Sequence, residues 1–423
     1  MKEKIYLPRI IENQIDLKLK TSGAVLVKGP KFCGKTTTCK RFAKSEISLK
    51  FVTTKDLVKL DPNNALIGEN PHLIDEWQIV PDIFNYVRAS VDDKSEFGLY
   101  ILTGSATPAD KKDLLHSGAG RIVPINMSSM TLSETKESRK LVSISNLFSN
   151  SQKDVFDLNE NYSLNDTLFF MCRGGWPESV LASKEYQIQV TTNYCESLFE
   201  FNETTNEEYK NINKSTLKAL IKSYSRNVST EASNITLIQD IKTNEFKNIS
   251  TMTLAKYLKI LQDLFIINDI KARSPNLRSS TAIRTTNTRH LVDTSLAIHF
   301  LELDQEGLKT DLNLLGLLFE DFVVHELKVY IEHLGGDIFH YRDKNDLECD
   351  AVLKSKNNKF GLIEIKLGGK ENISKAKTSI NKLESKLSDK TKKNLVFKMI
   401  ITSFGPLYKD EDFYIVPINC LYE

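Results

Sequence analysis

Short apolar runs separated by polar, loop-forming stretches dominate the first third of the chain. Ala24-Val25-Leu26-Val27, Leu73-Ile74 and Leu99-Tyr100-Ile101-Leu102 each have the length and continuity of a buried strand. Between them the spacing turns helical. A mixed helix closes near Ser22-Gly23, Thr36–Ala43 lacks Gly and Pro, and Pro81–Val87 turns Ile83, Phe84 and Val87 inward. Phe51-Val52 and Ile122-Val123 read as further short strands. Ser149–Asn165 is polar and reads in part as a variable connection. Helical patterns follow at Leu217–Ile221, Ile235–Ile241 and Thr253–Leu261, then an apolar run, Leu264–Ile270, that reads as a strand. The last third opens with a strongly apolar helix, Leu314–Leu327. Strands follow at Ile338–Arg342, Cys349–Leu353 and Leu362–Lys366, and the lysine-rich Lys370–Lys393 reads as a pair of solvated helices.

The first strand runs into Gly29-Pro30-Lys31-Phe32-Cys33-Gly34-Lys35-Thr36, the G-x-x-x-x-G-K-T spacing of a phosphate-binding loop, with Thr37 continuing into the helix. Strand, loop and helix are the context this motif needs. Gly29 and Gly34 permit backbone angles that a β-carbon forbids, so that loop amides turn inward around a phosphate at a helix start. Lys35 supplies a point charge for the β- and γ-phosphates of ATP, and the Thr36 hydroxyl is placed to ligate Mg²⁺. Cys33 reads as a spacer pointing away from the ligand rather than as a nucleophile.

Downstream, Leu73-Ile74-Asp75-Glu76 ends an apolar strand in two carboxylates. Asp75 is the candidate holder of Mg²⁺ and Glu76 the candidate catalytic group that polarises the attacking water; the alternative is a solvated helix start. Thr103 and Ser105, after the third strand, are candidates for reading the γ-phosphate. Arg121, closing the flexible His116-Ser117-Gly118-Ala119-Gly120 stretch, is a candidate arginine finger acting in cis or across a subunit boundary.

Gly29–Thr36, Leu73–Trp77, Leu102–Ser105 and His116–Arg121 together resemble the prokaryotic AAA+ ATP-binding proteins with a C-terminal DUF4143 domain, and the resemblance covers essentially the whole chain. It implies that Gly174-Gly175-Trp176-Pro177 marks a small helical lid. There the glycines let a loop pass close to its neighbour and Pro177 starts the next helix. Arg173 is then either a second nucleotide sensor or a structural salt-bridge partner.

Three helices and a β-element suggest a winged helix-turn-helix, with Lys271, Arg273, Arg278, Arg284 and Arg289 as a basic tract that could meet DNA phosphates. Winged helices also serve as contact modules for a protein partner. In the last third, strand-borne Asp350 followed by Glu364-x-Lys366 resembles the PD-(D/E)-x-K nuclease core. Glu364 and Lys366, two apart on a strand, share one face. With Asp350 they form a candidate catalytic metal site in which Lys366 activates water; Glu320 is the fourth member and Glu326 its substitute. The alternative is a salt-bridged remnant without activity.

The expected fold class is α/β. It comprises an AAA+-like P-loop ATPase core over residues 1–150, a helical lid over 151–205, a winged-helix-like domain over 206–300 and a restriction-endonuclease-like domain over 301–423. The formal net charge of +2 over 423 residues rules out a wholesale polyanion binder but leaves room for a local basic face. Six scattered cysteines without a C-x-x-C pair fit reduced thiols and a cytoplasmic setting, and no apolar run has the length of a membrane span.

Overall fold

The computed structural model describes residues 5–105, 118–199, 212–275 and 286–423. Helix α1 (Glu12–Leu19) precedes a five-stranded sheet built from β1 (Ala24–Lys28), β2 (Ser45–Ser48), β3 (His72–Asp75), β4 (Tyr100–Gly104) and β5 (Ile122–Asn126). Helices α2 (Lys35–Lys40), α3 (Val52–Leu60) and α4 (Ile83–Lys94) lie between the strands. Every ladder is parallel and the order is β2-β3-β4-β1-β5, so β4 stands between the phosphate-loop strand and the Asp75 strand. The two-residue alternation of the strands sorts their side chains. Val25, Val27, Leu73 and Ile101 enter one core, while Ala24, Ile74, Tyr100 and Leu102 enter a second core under α4. Phe51-Val52 is not a strand: Val52 opens α3, and the edge strand is the half-buried Ser45–Ser48.

Strand β6 (Val142–Ser143) and α5 (Ile144–Ser149) lead to α6 (Leu164–Arg173), α7 (Pro177–Leu181) and α8 (Gln187–Ser197). Helix α6 starts inside the stretch expected as a loop, because Ser163 and Asp166 form a reciprocal capping box. Helices α9 (Lys214–Arg226), α10 (Asn234–Asn244) and α11 (Thr251–Asp263) are each capped by a side chain, Asn213, Ser233 and Ser250 respectively, that accepts a backbone N–H three residues on. The expected continuous strand over Leu264–Ile270 is reduced to single bridges, Ile267 to Leu291 and Ile270 to Thr288; Phe265 there has a φ of +57°.

Strand β7 (Lys271–Ala272) and helices α12 (Thr294–Phe300) and α13 (Gln305–Leu308) precede α14 (Leu312–His333), the long central helix. A seven-stranded sheet then uses β7 with β8 (Asp337–Arg342), β9 (Glu348–Lys354), β10 (Phe360–Lys366), β11 (Leu395–Thr402), β12 (Tyr408–Asp410) and β13 (Phe413–Pro417). The sheet runs in the order β12-β13-β11-β10-β9-β8-β7. Helices α15 (Lys370–Ser385) and α16 (Asp389–Lys392) form the expected pair, and α15 buries Ala376, Ile380 and Leu383. Strand β14 (Leu421–Tyr422) returns to pair with β6.

Helix α14 is buried along most of its length, with Leu315, Phe319, Val323, Leu327 and Ile331 all in the largest core. That core is continuous from Ile15 on the first helix, through Trp176 and Leu258, to Leu421. Among the described residues no helix is long and apolar enough to cross a membrane.

Candidate functional site

The phosphate loop follows β1 directly. Gly29 leaves no room for a side chain, since a β-carbon there would lie 1.9 Å from the Met127 carbonyl. Gly34 has a φ of +97°, the left-handed region that favours glycine, and Phe32 one of +63°. The Lys35 ammonium is buried and folds back onto its own loop, donating to the carbonyls of Gly29 (2.9 Å) and Pro30 (2.6 Å). Lys31 and Thr37 are exposed. The Cys33 thiol is buried, donates to the Met127 carbonyl at 3.6 Å and accepts from the Lys35 ammonium at 3.9 Å.

Three strands converge beside this loop at their carboxyl ends. The Thr36 hydroxyl donates to Asp75 Oδ1 at 2.7 Å, and the Thr103 hydroxyl donates to the same oxygen at 2.7 Å. Burial pushes the Asp75 carboxyl up, but these two hydroxyls and Lys50 outweigh it and hold the group below the ordinary carboxylate range. Glu76 sits in the left-handed region with a φ of +60°, outside the helix that starts at Trp77. Its carboxylate accepts from the Ser105 hydroxyl at 3.0 Å and from the Gln78 amide at 2.5 Å. Thr103 therefore supports Asp75 and Ser105 supports Glu76. An ionised carboxylate and a hydroxyl, joined beside a loop whose lysine pairs with no acid among the described residues, suit a hard divalent cation and a phosphate.

Arg9, which no motif singled out, braces the loop from behind. Its guanidinium donates to the Cys33 carbonyl at 2.6 Å and to the Ser128 carbonyl at 2.8 Å, and it pairs with buried Glu134 at 2.9 Å. Lys50 was also passed over by the sequence pattern. Its ammonium lies 3.0 Å from Asp75 and 3.8 Å from Glu76.

The helices after residue 163 reach the loop from the other side. Phe32 meets the Tyr194 ring edge-on at 5.2 Å, and Pro177 is the nearest neighbour of a β-carbon placed on Gly34, at 3.4 Å. Gly175 permits the close approach of its segment to Met130, donating to Asp293 at 2.9 Å and accepting from the Met130 amide at 2.7 Å. Arg173 takes the structural of its two expected roles. It is buried and forms a two-pronged pair with Glu137, so it does not reach the nucleotide loop.

Arg121 is not brought to the phosphate loop of its own chain. It precedes β5, and its carbonyl accepts the amide of Ala24 at the opposite, amino end of β1. Its guanidinium pairs with Asp92 at 2.6 Å. The cis form of the arginine finger is thus contradicted by the sheet itself, whose five residues of β1 separate Arg121 from Gly29 by roughly 17 Å. His116 and Ser117 of the same stretch lie outside the described residues.

The second acidic cluster assembles on β9 and β10. Lys366 pairs with Glu364 at 2.7 Å and with Asp350 at 2.9 Å, and the Ile365 amide donates to Asp350 at 2.7 Å. Burial first, and then Asp350, push the Glu364 carboxyl up to about 8, against the pull of Lys366. Its Oε1 is buried without a hydrogen-bond partner among the described residues. Glu320, on α14, is pushed well above the ordinary range by burial and by Asp350. Glu326, the expected substitute, points elsewhere: it accepts from the Leu132 amide at 2.9 Å and from the Tyr330 hydroxyl at 2.6 Å. Among the described residues no three His, Cys, Asp or Glu side chains are grouped to hold a metal.

Of the basic tract, Arg273 is paired with Asp337 and Arg289 with Asp269, while Lys271 is exposed. Arg278 and Arg284 lie outside the described residues.

The family described as AAA domain matches residues 21–136, and the domain of unknown function DUF4143 matches residues 315–421. The chain has the AAA–DUF4143 architecture. The first match covers all five parallel strands and the phosphate loop, which makes this part a P-loop NTPase domain of the ATP-binding kind. A further domain of unknown function, DUF8612, matches residues 165–307 of this AAA–DUF4143 chain and runs across the boundary expected at 205/206. Similar proteins include the uncharacterized protein Mb2031c of Mycobacterium bovis and the uncharacterized protein Rv2008c of Mycobacterium tuberculosis. Each is 24% identical over 360 residues, covering 84% of this chain and 73% of the relative.

Proposed function

We propose that the chain is a Mg²⁺-dependent ATPase of AAA+ type whose nucleotide state is coupled to a DNA-binding or nuclease-like C-terminal region. The observation that carries this reading is the convergence of Lys35, Thr36–Asp75 and Ser105–Glu76 at the carboxyl ends of three adjacent parallel strands. Thr36 and Asp75 would hold Mg²⁺, which neutralises charge between the β- and γ-phosphates. Lys35, now held by the Gly29 and Pro30 carbonyls and the Cys33 sulfur of its own loop, exchanges these for phosphate oxygens. Glu76 orients and polarises the attacking water, and its carboxylate is aimed by Ser105 and Gln78. A finger role for Arg121 requires delivery across a subunit boundary.

Coupling runs through the packing. Phe32 of the loop leans on Tyr194, and Pro177 sits against Gly34, so a loop reshaped by phosphate presses on α7 and α8. The winged-helix reading of α9–α11 rests on three capped helices followed by the antiparallel bridges at Ile267 and Ile270. Exposed Lys256 and Lys259 on α11 favour contact with DNA phosphates, whereas Arg289 is engaged internally. A protein partner controlled by the ATP-ordered lid is the non-enzymatic form of the same switch.

The test is titration with labelled ATP and Mg²⁺. Saturable binding is expected, with Glu76→Gln binding as well as the parent while losing turnover. Absence of saturable binding by the folded protein would sink the reading. A second reading, a metal-dependent nuclease gated by ATP, is favoured by the unpartnered Glu364 oxygen beside Asp350 and Lys366. It requires Mg²⁺-dependent cleavage of DNA that Asp350→Ala abolishes.

A further inference from the structure

Lys50 stands where a cation belongs. The segment that carries it is fixed onto Asp75 at two points besides its own ion pair. The Leu49 amide donates to the Asp75 carbonyl at 3.1 Å, and the Ser48 hydroxyl donates to Asp75 Oδ2 at 3.3 Å. Leu49 is buried and anchors the turn. The Lys50 ammonium then faces Asp75 Oδ2 at 3.0 Å and Glu76 Oε1 at 3.8 Å, while Asp75 Oδ1 is taken by Thr36 and Thr103. The side chain of Lys50 is 52% exposed, against 5% for Asp75 and 17% for Glu76, so the lysine can leave into solvent while the acids cannot.

We propose that Lys50 is a built-in counter-ion that offsets part of the charge of the Asp75–Glu76 pair until a divalent cation displaces it, and so sets the metal requirement of this site. The inference deepens the nucleotide-site reading above and rests on it for its place in the cycle. The physical reason is charge. Two carboxylates facing a triphosphate repel it unless a positive group lies between them, and Lys50 supplies that charge when Mg²⁺ is scarce. Metal binding must then break the Lys50 contacts, which costs part of the metal's affinity. Lys50 is a positioning residue; the water is handled by Glu76.

The experiment is Mn²⁺ binding to the nucleotide-free, full-length protein, followed by electron paramagnetic resonance. Lys50→Met is expected to bind Mn²⁺ roughly twofold to fivefold more tightly than the parent, the scale of one partly exposed ion pair. Lys50→Arg is expected to restore parental affinity, and Asp75→Asn to remove the site that responds to Lys50. Unchanged Mn²⁺ affinity in Lys50→Met, or no Mn²⁺ site that Asp75→Asn removes, overturns the proposal. A parallel titration with labelled ATP in chelator and in Mg²⁺ separates the two readings. If Mn²⁺ behaves as expected and ATP does not bind, the nucleotide reading fails and the counter-ion assignment stands. If ATP binds, Lys50→Met must widen the gap between metal-free and metal-bound affinities.

Discussion

Arg9 spreads one guanidinium over the phosphate loop, the Ser128 carbonyl and Glu134, and both charges of the pair are almost fully buried. Removing one partner leaves the other charge uncompensated, the expensive way to break a buried pair. Arg9→Met should lower unfolding stability by about 3–5 kcal/mol in urea titrations and weaken nucleotide binding with it. An effect below 1 kcal/mol would mean that Glu134 is satisfied by the Ile10 and Thr131 amides alone. No local sequence signal pointed to this residue, because its partners are distant in sequence. By contrast Gly29, Gly34, Lys35 and Thr36 were legible, since their chemistry is fixed by spacing within eight residues. Lys50 was not, because its meaning depends on the β2–β3 register, in which Ser48 lies beside Asp75.

At the scale of elements, α14 bonds the C-terminal part of the chain to the segment that follows β5. Its Glu326 accepts the Leu132 amide, and the same turn presents Glu134 to Arg9. Burial is the chief cause that pushes the Glu326 carboxyl from 4.5 to about 8. A carboxyl raised in the folded state contributes its full stability below its unfolded value and loses it as pH rises through the folded one. Parental stability should therefore decline between pH 4.5 and about 8 on account of this group, and Glu326→Gln should decline less over that window. Chemical denaturation at a series of pH values checks it, and parallel curves would refute the assignment. The buried strands β1, β3 and β4 and the long α14 were readable from apolar continuity. The edge strand β2 was not, because Ser45–Ser48 is half-buried and carries little apolar signal. Nor was α6, whose start depends on a capping box rather than on periodicity.

At the scale of the molecule, one core ties the first helix to the last strand. Cys33, Cys39, Cys172, Cys195 and Cys420 all lie in it, free and buried, although they are spread over the ranges of three different family matches. Segments that share a core unfold together. These five thiols are expected to become reactive toward a thiol reagent in a single urea transition that coincides with loss of circular dichroism. Separate steps for Cys33 and Cys420 would show independent folding of the two ends. The sequence pattern proposes divisible units because it records local spacing, whereas the β6–β14 pairing and the α14 contacts exist only in the assembled chain.

The placement of the two tryptophans has a practical consequence. Trp77 follows Glu76 directly and is buried, and Trp176 packs 4.4 Å from Tyr194, whose ring meets Phe32 on the loop. The indoles thus flank the loop, one on the acid side and one on the helical side. The unlabelled protein carries its own optical gauge, and replacing either indole with phenylalanine would assign an emission change to one flank.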